Sequence, residues 1–505
     1  MNFAKVYSAE LEGINARLIE LEVDLNVGLH AFNIVGLADT ALKEAKERVN
    51  SALKNSGVKP PNKENRKITV NLAPADIKKA GSQYDLAIAI GYLLATDQIK
   101  KFDTEGIMFV GELALNGKVR PIAGALNFAL LAKKNNFKTL YLPAENAKEA
   151  SLVTGLKIIP VKTLNNLLNH LGEVKPIVPQ ARTRFKPQEK YKINLSEIKG
   201  QESAKRALAI AAAGGHNILM SGSPGSGKTM LAQALNSILP PLTLEEAMEI
   251  SSIWSAAGLL KGTYMDHRPF RSPHQTASPV SVVGGGGNPK PGEISLAHRG
   301  VLFLDELPEF RRDILEALRQ PLESGEIVVS RARGHLTFPA RFTLVAAMNP
   351  CPCGYYGDPD KECKCSAHEV FRYQKKISGP LLDRIDIQIN VPRVKIEHLK
   401  RPSEEGEELK QKVLRARRTQ AERFKTAKLK ILTNSEMGSK ECEALVKLNK
   451  KAEEFVQNVS EKALISARGY YRILKTARTI ADLDERKEVA PEHIAEAFQL
   501  RIKES

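Results

Sequence analysis

The stretch that decides the fold of this chain is Gly222-Ser-Pro-Gly-Ser-Gly227-Lys228-Thr229. It fits the pattern Gly-x-x-x-x-Gly-Lys-Ser/Thr at every fixed position, and it lies between an apolar run, Asn217–Ser221, and a helix-like run, Met230–Leu239. A strand, a glycine-rich turn and a helix in that order wrap a phosphate chain, because backbone N–H groups and the helix N-terminus point at it. The sequence therefore predicts a phosphate loop.

The loop and a second apolar run predict a site for ATP and Mg²⁺. Lys228 is expected to reach the β- and γ-phosphates, and the Thr229 hydroxyl to ligate Mg²⁺. The run Val301–Leu304 ends in Asp305 and Glu306, as a buried strand would that delivers both acids to the ligand-binding edge of a parallel sheet. Asp305 is expected to hold Mg²⁺ through water, and Glu306 to polarise the attacking water. The residues predicted to bind the nucleotide are Gly222, Ser223, Pro224, Gly225, Ser226, Gly227, Lys228, Thr229 and Asp305.

A third apolar run, Phe342–Met348, ends in Asn349. The polar amide at the end of a strand suits a residue that reads the γ-phosphate and orients the attacking water. An Asn-Pro pair by itself is an ordinary turn signal. Because the two preceding motifs already predict an ATP site, we interpret Asn349 as a catalytic residue together with Lys228 and Glu306.

The rest of the chain divides into four parts by composition and pattern. Residues 1–172 combine strand-like and helix-like runs, and residues 173–193 are polar, rich in proline and without apolar periodicity, as in a linker. Residues 194–394 alternate strands and helices around glycine-rich turns, which favours a parallel sheet, whereas residues 395–505 favour helices alone. We therefore predict a mixed α/β protein with an all-α C-terminal region. In the first part, the predicted strands are Val23–Leu29 and Ile68–Leu72, and the predicted helices are Ala41–Lys54 and Tyr84–Ala95.

Composition bounds the class of protein and its partners. With 505 residues, 42% hydrophobic and 26% charged, the chain is globular. No apolar run approaches the ~18 residues of a bilayer span, and no signal peptide is visible, so we expect a cytoplasmic protein without a membrane partner. The 75 Lys and Arg against 58 Asp and Glu give a net charge of +17, which favours a polyanionic partner but also suits an ordinary basic enzyme.

Four of the five cysteines form two close pairs, Cys351-Pro-Cys353 and Cys363-Lys-Cys365, in one polar loop. Four thiolates favour a tetrahedral Zn²⁺, and a closed site of this kind is structural. The alternative is four free thiols in a loop joined to Asn349. Cys442 stands alone.

Several longer stretches carry a family resemblance. Gly214–Met220 before the phosphate loop, Pro291–Phe310, Met348–Gly354 and Ser466–Arg468 closely resemble the ComM/YifB family of magnesium-chelatase-like AAA+ ATPases. The resemblance covers essentially the whole chain. It implies an ATP-hydrolysing homo-hexameric ring with a helical C-terminal lid.

The resemblance also implies roles for two arginines. Arg384 matches the arginine finger that completes the ATP site of a neighbouring subunit, and such a finger contributes about 10³–10⁵ in rate. Arg468 matches the second sensor of the chelatase-type lid. The Gly-x-x-Arg pattern of other AAA+ proteins would instead select Arg472.

For function, the resemblance implies a DNA motor: a helicase that drives translocation or branch migration on single-stranded or branched DNA, in recombination and natural transformation. Ile327–Phe338 reads as a β-hairpin, and in related ATPases such a hairpin enters the pore of the ring, so Arg333 and His335 become candidate DNA contacts. An ordinary sheet extension is the alternative. Gly284–Gly287 with Lys290 is a second candidate pore loop, and Gln275 replaces a histidine usual in the family. The alternative function is a chelatase-like or protein-remodelling ATPase that works with a partner.

The first part of the chain resembles the family's Lon-protease-like domain at Gly111–Gly124 and Leu140–Asn146. A working protease of that fold needs a serine nucleophile and a lysine base. Gln83 stands at the serine position with Ser82 one place off, and Leu126 stands at the lysine position. This domain is therefore predicted to lack the catalytic dyad and to serve binding or assembly.

Overall fold

The computed structural model describes residues 3–36, 44–287, 289–331, 334–394, 405–462 and 466–501. The chain divides into two compact units. The first comprises the N-terminal part up to Lys186, Leu244–Asp266 and Asn288–Pro291; the second comprises Pro187–Thr243, His267–Gly287 and the chain from Gly292 onward. The segment Leu244–Asp266 thus belongs to the first unit, although in sequence it falls within residues 194–394.

The first unit is built on a mixed sheet. Its N-terminal strands are β1 (Phe3–Glu12), β2 (Asn15–Val27), β3 (Ala31–Val35), β4 (Arg66–Ala73), β5 (Ile107–Phe109), β6 (Glu112–Leu113), β7 (Val119–Arg120), β8 (Thr139–Pro143) and β9 (Lys157–Val161). Seven of them form one sheet in the order β3-β4-β2-β1-β5-β8-β9, in which β2 is antiparallel to both neighbours and the other pairs are parallel. Strand β2 buries every second side chain from Ile19 to Leu25, so one face of the sheet covers the core.

The first unit also contains helices. They are Ala45–Asn55, Asp85–Ala95, Ala125–Lys134, Ala147–Ala150, Leu164–Leu171 and Leu244–Ala256, with 3₁₀ turns at Pro61–Lys63 and Ala144–Asn146. Helix Asp85–Ala95 is buried at every position. The predicted strand Val23–Leu29 is wrong at its C-terminal end, because the strand stops at Val27, which is 97% exposed. Of the predicted helix Ala41–Lys54, residues 41–43 lie outside the described residues.

The second unit contains a parallel sheet. The remaining strands are β10 (Ile218–Ser221), β11 (Phe270–Arg271), β12 (Gly284–Gly285), β13 (Lys290–Pro291, in the first unit), β14 (Val301–Leu304), β15 (Glu326–Arg331), β16 (Gly334–Pro339), β17 (Thr343–Met348) and β18 (Ile387–Asn390). The sheet has the order β11-β14-β17-β10-β18, and all its strands are parallel. Every residue of β10, β14 and β17 is buried, as expected for central parallel strands covered on both faces.

Helices surround this sheet and continue to the C-terminus. Those up to residue 390 are Glu202–Gly214, Lys228–Ile238, Pro279–Val283, Glu293–Leu296, Arg312–Ala317, Arg319–Ser324, Ala367–Gln374 and Gly379–Leu382, with 3₁₀ turns Leu195–Glu197 and Leu307–Glu309. The C-terminal ones are Glu405–Thr426, Ser439–Leu445, Lys450–Lys462, Ala467–Leu483 and Pro491–Gln499, with a turn at Asn434–Glu436. The predicted helix Met230–Leu239 begins two residues earlier, at Lys228.

The C-terminal helices share one hydrophobic core with the sheet. Val413 and Ile480 of these helices are fully buried in the same cluster as Leu208 and the sheet residue Val345. Among the helices of the described residues, none is long and apolar enough to span a bilayer. The predicted mixed α/β class, with a parallel sheet and a helical C-terminal region, is confirmed.

Candidate nucleotide site

Three predicted motifs meet at the carboxyl edge of the parallel sheet. The phosphate loop follows β10, Asp305 and Glu306 follow β14, and Asn349 follows β17. Strand β17 lies between the other two, with Met348 paired to Ser221 and Ala346 paired to Leu304. Since parallel strands end at a common edge, this order brings the three loops together.

Glycines shape the phosphate loop. Gly225 and Gly227 have φ angles of 79° and 91°, a left-handed conformation that favours glycine. A Cβ atom at Gly222 would lie 2.3 Å from the carbonyl oxygen of Val391, so this position also requires glycine. The helix begins at Lys228, directly after the loop, and its N-terminal N–H groups therefore face the loop.

The ammonium group of Lys228 sits inside the loop. It donates to the carbonyl oxygens of Gly222 at 2.7 Å and Ser223 at 3.1 Å, and it lies 3.4 Å from Oδ1 of Asn349. Burial lowers the pKa of Lys228, while Asp305 and Glu306 act in the opposite direction. The acceptors of this ammonium among the described residues are all neutral oxygens, so its charge is available to a phosphate.

Oxygen ligands suited to Mg²⁺ lie beside it. The hydroxyl of Thr229 donates to Oδ2 of Asp305 at 2.9 Å. Hydroxyl and carboxylate oxygens are the ligands that Mg²⁺ takes in phosphate sites, so this pair fits the ion. Glu306 is exposed and has a φ of 52°, which is uncommon for a residue other than glycine, and its N–H donates to Asp305 at 3.0 Å.

Two of the predicted arginines contact one carboxylate, Glu323. Arg384 donates to Glu323 and, at 2.5 Å, to the carbonyl oxygen of Pro380. Arg468, whose side chain is 73% exposed, lies 3.7 Å from the same carboxylate. The contacts described for these two arginines do not include the phosphate loop.

Arg472, the alternative second sensor, has a different environment. It pairs at 2.7 Å with Asp386, a buried carboxylate. Burial by itself would raise the pKa of Asp386, but Arg472 and His216 outweigh burial and hold that pKa below its usual range. Arg472 is therefore occupied by a buried ion pair, whereas Arg468 is accessible.

The four cysteines of the loop after Asn349 come together. Their sulfur atoms all lie within 4.8 Å of one another, with Cys351 and Cys353 3.4 Å apart and Cys363 3.7 Å from Cys351. Four sulfurs at about 2.3 Å from one Zn²⁺ in a tetrahedron are about 3.8 Å apart, so Cys351, Cys353, Cys363 and Cys365 fit a closed zinc site. Cys442 is buried elsewhere, in helix Ser439–Leu445.

The candidate DNA contacts are described in part. Strands β15 and β16 form the predicted antiparallel hairpin. His335 is exposed on it, with Nδ1 3.1 Å from the hydroxyl of Ser330, while Arg333 lies outside the described residues. Lys290 is exposed, and Gln275 is half-buried.

The sequence did not identify two acidic residues of this unit, Glu323 and Asp358. Glu323 contacts Arg384 and Arg468, and the side chain of Asp358, between the two cysteine pairs, is only 1% exposed. Neither acid lies in a recognisable motif. Their roles depend on contacts with residues distant in sequence, which no local pattern encodes.

In the first unit, the residues at the positions of the protease dyad make contacts within the protein. Ser82 donates to the carboxylate of Glu112, and Gln83 donates to Glu10 at 3.1 Å. Leu126 is fully buried in an apolar cluster. These side chains are engaged in packing and internal hydrogen bonds.

Comparison with known proteins gives matches along nearly the whole chain. Three family models match: "Magnesium chelatase, subunit ChlI" at residues 194–399, "Subunit ChlI of Mg-chelatase" at 21–146, and "Magnesium chelatase, subunit ChlI C-terminal" at 403–501. Competence protein ComM of Haemophilus influenzae is 45% identical over 511 residues, covering 99% of this chain and 98% of that protein.

Two further relatives are informative. The uncharacterized protein YifB of Escherichia coli is 41% identical over 507 residues, covering 99% of this chain and 97% of its own length. The Lon protease of Azospirillum brasilense is 27% identical over 177 residues, covering 32% of this chain and 21% of that protease.

Proposed function

The chain belongs to the ComM/YifB family of magnesium-chelatase-like AAA+ ATPases, and on that premise we propose that it is an ATP-hydrolysing motor that moves on DNA. The observation that carries the proposal is the convergence of Lys228, the Thr229–Asp305 pair and Asn349 at one edge of the sheet. A lysine that touches both its own phosphate loop and the residue ending the neighbouring strand is positioned to hold a nucleotide between them.

Each residue has a separate task in hydrolysis. Lys228 exchanges the carbonyl oxygens of Gly222 and Ser223 for the β- and γ-phosphate oxygens. Thr229 and Asp305 would hold Mg²⁺, which would neutralise charge on the phosphates. Glu306 accepts a hydrogen bond from the attacking water and withdraws its proton. Asn349, within reach of Lys228, orients that water against the γ-phosphate.

The site is completed by a neighbouring subunit in a homo-hexameric ring. The contacts of Arg384 within one chain are with Glu323 and Pro380, which supports a role outside its own phosphate loop. In the ring, the γ-phosphate bound by the next subunit replaces Glu323 as the partner of this guanidinium. Arg468 acts as the second sensor, because Arg472 is already held by Asp386.

DNA, single-stranded or branched, is the proposed track. The relative in Haemophilus influenzae is named for competence, and by analogy this chain would drive branch migration of DNA taken up in natural transformation. A net charge of +17 and the exposed His335 on the hairpin support a polyanionic partner. The four cysteines of the loop would hold a structural Zn²⁺.

A second candidate is a remodelling ATPase that acts on a protein or chelatase partner. The family models named for magnesium chelatase favour it, as does an N-terminal domain whose loop at the protease-dyad positions is engaged internally. The two candidates differ in whether DNA stimulates hydrolysis.

The deciding experiment measures ATP hydrolysis by the full chain with single-stranded, duplex and four-way-junction DNA, and branch migration of the junction with ATP or a non-hydrolysable analogue. We expect DNA to stimulate hydrolysis and the junction to migrate only with ATP. Replacing His335 with Ala should reduce the stimulation and spare basal hydrolysis, while His368→Ala, at an exposed histidine on helix Ala367–Gln374, should change neither. Hydrolysis that ignores all three DNAs would favour the remodelling ATPase.

A further inference from the structure

The loop that carries the four cysteines also contacts the phosphate loop. It begins directly after Asn349, and Gly354, with a φ of 86°, lies against the ring of Pro224. A Cβ at Gly354 would lie 2.7 Å from that ring, so the two loops approach as closely as a glycine allows. The approach is made at the third residue of the phosphate loop, Pro224.

The centre of this contact is the carboxylate of Asp358. Its side chain is 1% exposed, and the nearby hydroxyl of Ser223 holds the pKa of this carboxylate below its usual range. It also accepts the N–H groups of Asp360 and Lys361, each at 3.0 Å. Asp358 thus ties its own loop, between Cys353 and Cys363, to the phosphate loop.

Arg393, from a third segment of the chain, contacts both of these loops. Its Nε lies 3.6 Å from Oδ2 of Asp358, and its Nη2 donates to the carbonyl oxygen of Pro224 at 3.4 Å. The guanidinium also lies over the ring of Tyr355, 5.3 Å from its centre. Residues on both sides of Asp358 are thereby fixed relative to the start of the phosphate loop.

We propose that Asp358 is a positioning residue for the phosphate loop, and that through it the metal-binding cysteine loop sets the affinity of the nucleotide site. The inference rests on the proposed ATP and zinc sites. Zinc bound by the four cysteines fixes the two ends of the segment that carries Asp358. Asp358 then holds Ser223 and Pro224 in the conformation that accepts the phosphates. Without the metal, the segment that carries Asp358 is no longer restrained. The phosphate loop then loses the contacts that hold its conformation.

The test measures the dissociation constant of a fluorescent ATP analogue, the zinc content and kcat for the full chain and its variants. Asp358→Ala should raise the dissociation constant about tenfold or more, the scale of one hydrogen bond to a charged group, with zinc content and kcat at saturation within about twofold of wild type. Asp358→Asn, which keeps an acceptor, should recover part of the affinity. Asp360→Ala, an exposed acid of the same loop, should change nothing.

Two further variants separate the contact from general damage. Ser223→Ala should weaken binding like Asp358→Ala, and the double variant should be no weaker than either one, because the two changes remove the same contact. The zinc-free variant Cys351→Ser/Cys363→Ser should also bind ATP about tenfold more weakly, and adding Asp358→Ala to it should have little further effect.

The outcomes distinguish this inference from the function on which it rests. A wild-type chain that binds no ATP analogue would overturn the proposed function itself. Wild-type binding in both Asp358→Ala and Asp358→Asn would overturn the inference alone. So would normal ATP binding in the zinc-free variant, or additive losses in the Ser223 and Asp358 double variant.

Discussion

Two polar loops of this molecule, one in each unit, resemble the active loops of known enzymes, yet their side chains are used differently. In the first unit, the four consecutive side chains of residues 82–85 all bind other residues of that unit: Ser82 binds Glu112, Gln83 and Tyr84 bind Glu10, and Asp85 binds Arg48. In the second unit, Lys228 touches only neutral oxygens among the described residues.

The difference shows how to tell side chains that stabilise the fold from side chains that take part in the reaction. A polar group whose charge is matched inside the protein stabilises the fold, and a ligand would have to displace its partner. A cation surrounded by carbonyl oxygens keeps its charge for an incoming phosphate. Side chains 82–85 are therefore expected to govern stability, and Lys228 with Glu306 to govern catalysis.

The largest effect is expected at Lys228. Lys228→Ala should abolish ATP binding and hydrolysis, because it removes the one cation inside the phosphate loop among the described residues. Equilibrium binding of a fluorescent ATP analogue is the measurement. Lys440→Ala, an exposed lysine on helix Ser439–Leu445, is the control and should bind like wild type. Tight binding of the ATP analogue by Lys228→Ala would contradict the expectation that Lys228, unlike side chains 82–85, acts on a ligand.

The next effect is expected at Glu306. Glu306→Gln should bind ATP normally but turn over about 10²–10⁴-fold more slowly, the usual contribution of a positioned general base. Steady-state hydrolysis and analogue binding are measured together. Glu309→Gln, which removes a surface acid paired with Lys376, should hydrolyse at the wild-type rate. Normal turnover in Glu306→Gln would refute the assignment of the base.

The smallest effect on hydrolysis is expected at Asp85. Burial raises the pKa of Asp85 to about 6 although Arg48, at 2.7 Å, opposes the shift. Asp85→Ala leaves Arg48 without its buried partner, which should destabilise the first unit by about 3–5 kcal/mol.

Hydrogen exchange in helix Asp85–Ala95 measures that loss in the first unit alone. ATP turnover by the folded variant should stay within about twofold of wild type, and Asp85→Asn, which keeps one acceptor oxygen, should lose less stability. A large fall in turnover without a loss of protection would mean that this loop takes part in the chemistry.

The sequence was most informative where short-range geometry decides the structure. The phosphate loop demands glycines and a following helix, so β10, the loop and the helix could be predicted together. The helix start was misjudged by two residues, since Lys228 is polar and apolar periodicity begins only at Met230. The end of β2 was misjudged for the opposite reason: Val27 and Leu29 are apolar, yet they are 97% and 94% exposed.

Long-range contacts could not be predicted. Helix Leu244–Ala256 belongs to the first unit, where Ser255 donates to the buried carboxylate of Glu149, more than a hundred residues away. Likewise, Asp358 and Glu323 are unremarkable acids until the fold brings Ser223 and Arg384 to them. Periodicity and turn signals describe only neighbours in sequence, so such pairs require the folded structure.

The measurement that tests the ring ATPase most directly mixes two inactive variants. Arg384→Ala subunits should bind ATP through an intact phosphate loop but hydrolyse it about 10³–10⁵-fold more slowly, because the neighbour's γ-phosphate charge is not stabilised. Lys228→Ala subunits lack a working pocket but keep the arginine. Where the two kinds of subunit meet in the right order, the intact ATP pocket of an Arg384→Ala subunit faces the intact arginine of a Lys228→Ala subunit.

Mixed rings, with co-assembly checked by pull-down of differently tagged subunits, should therefore regain part of the hydrolysis that neither variant shows alone. If Arg384 acts within its own subunit, every subunit carries its own defect and no activity returns. Absence of rescue in demonstrably mixed rings, or near-normal hydrolysis by Arg384→Ala alone, would contradict a site completed by the neighbouring subunit.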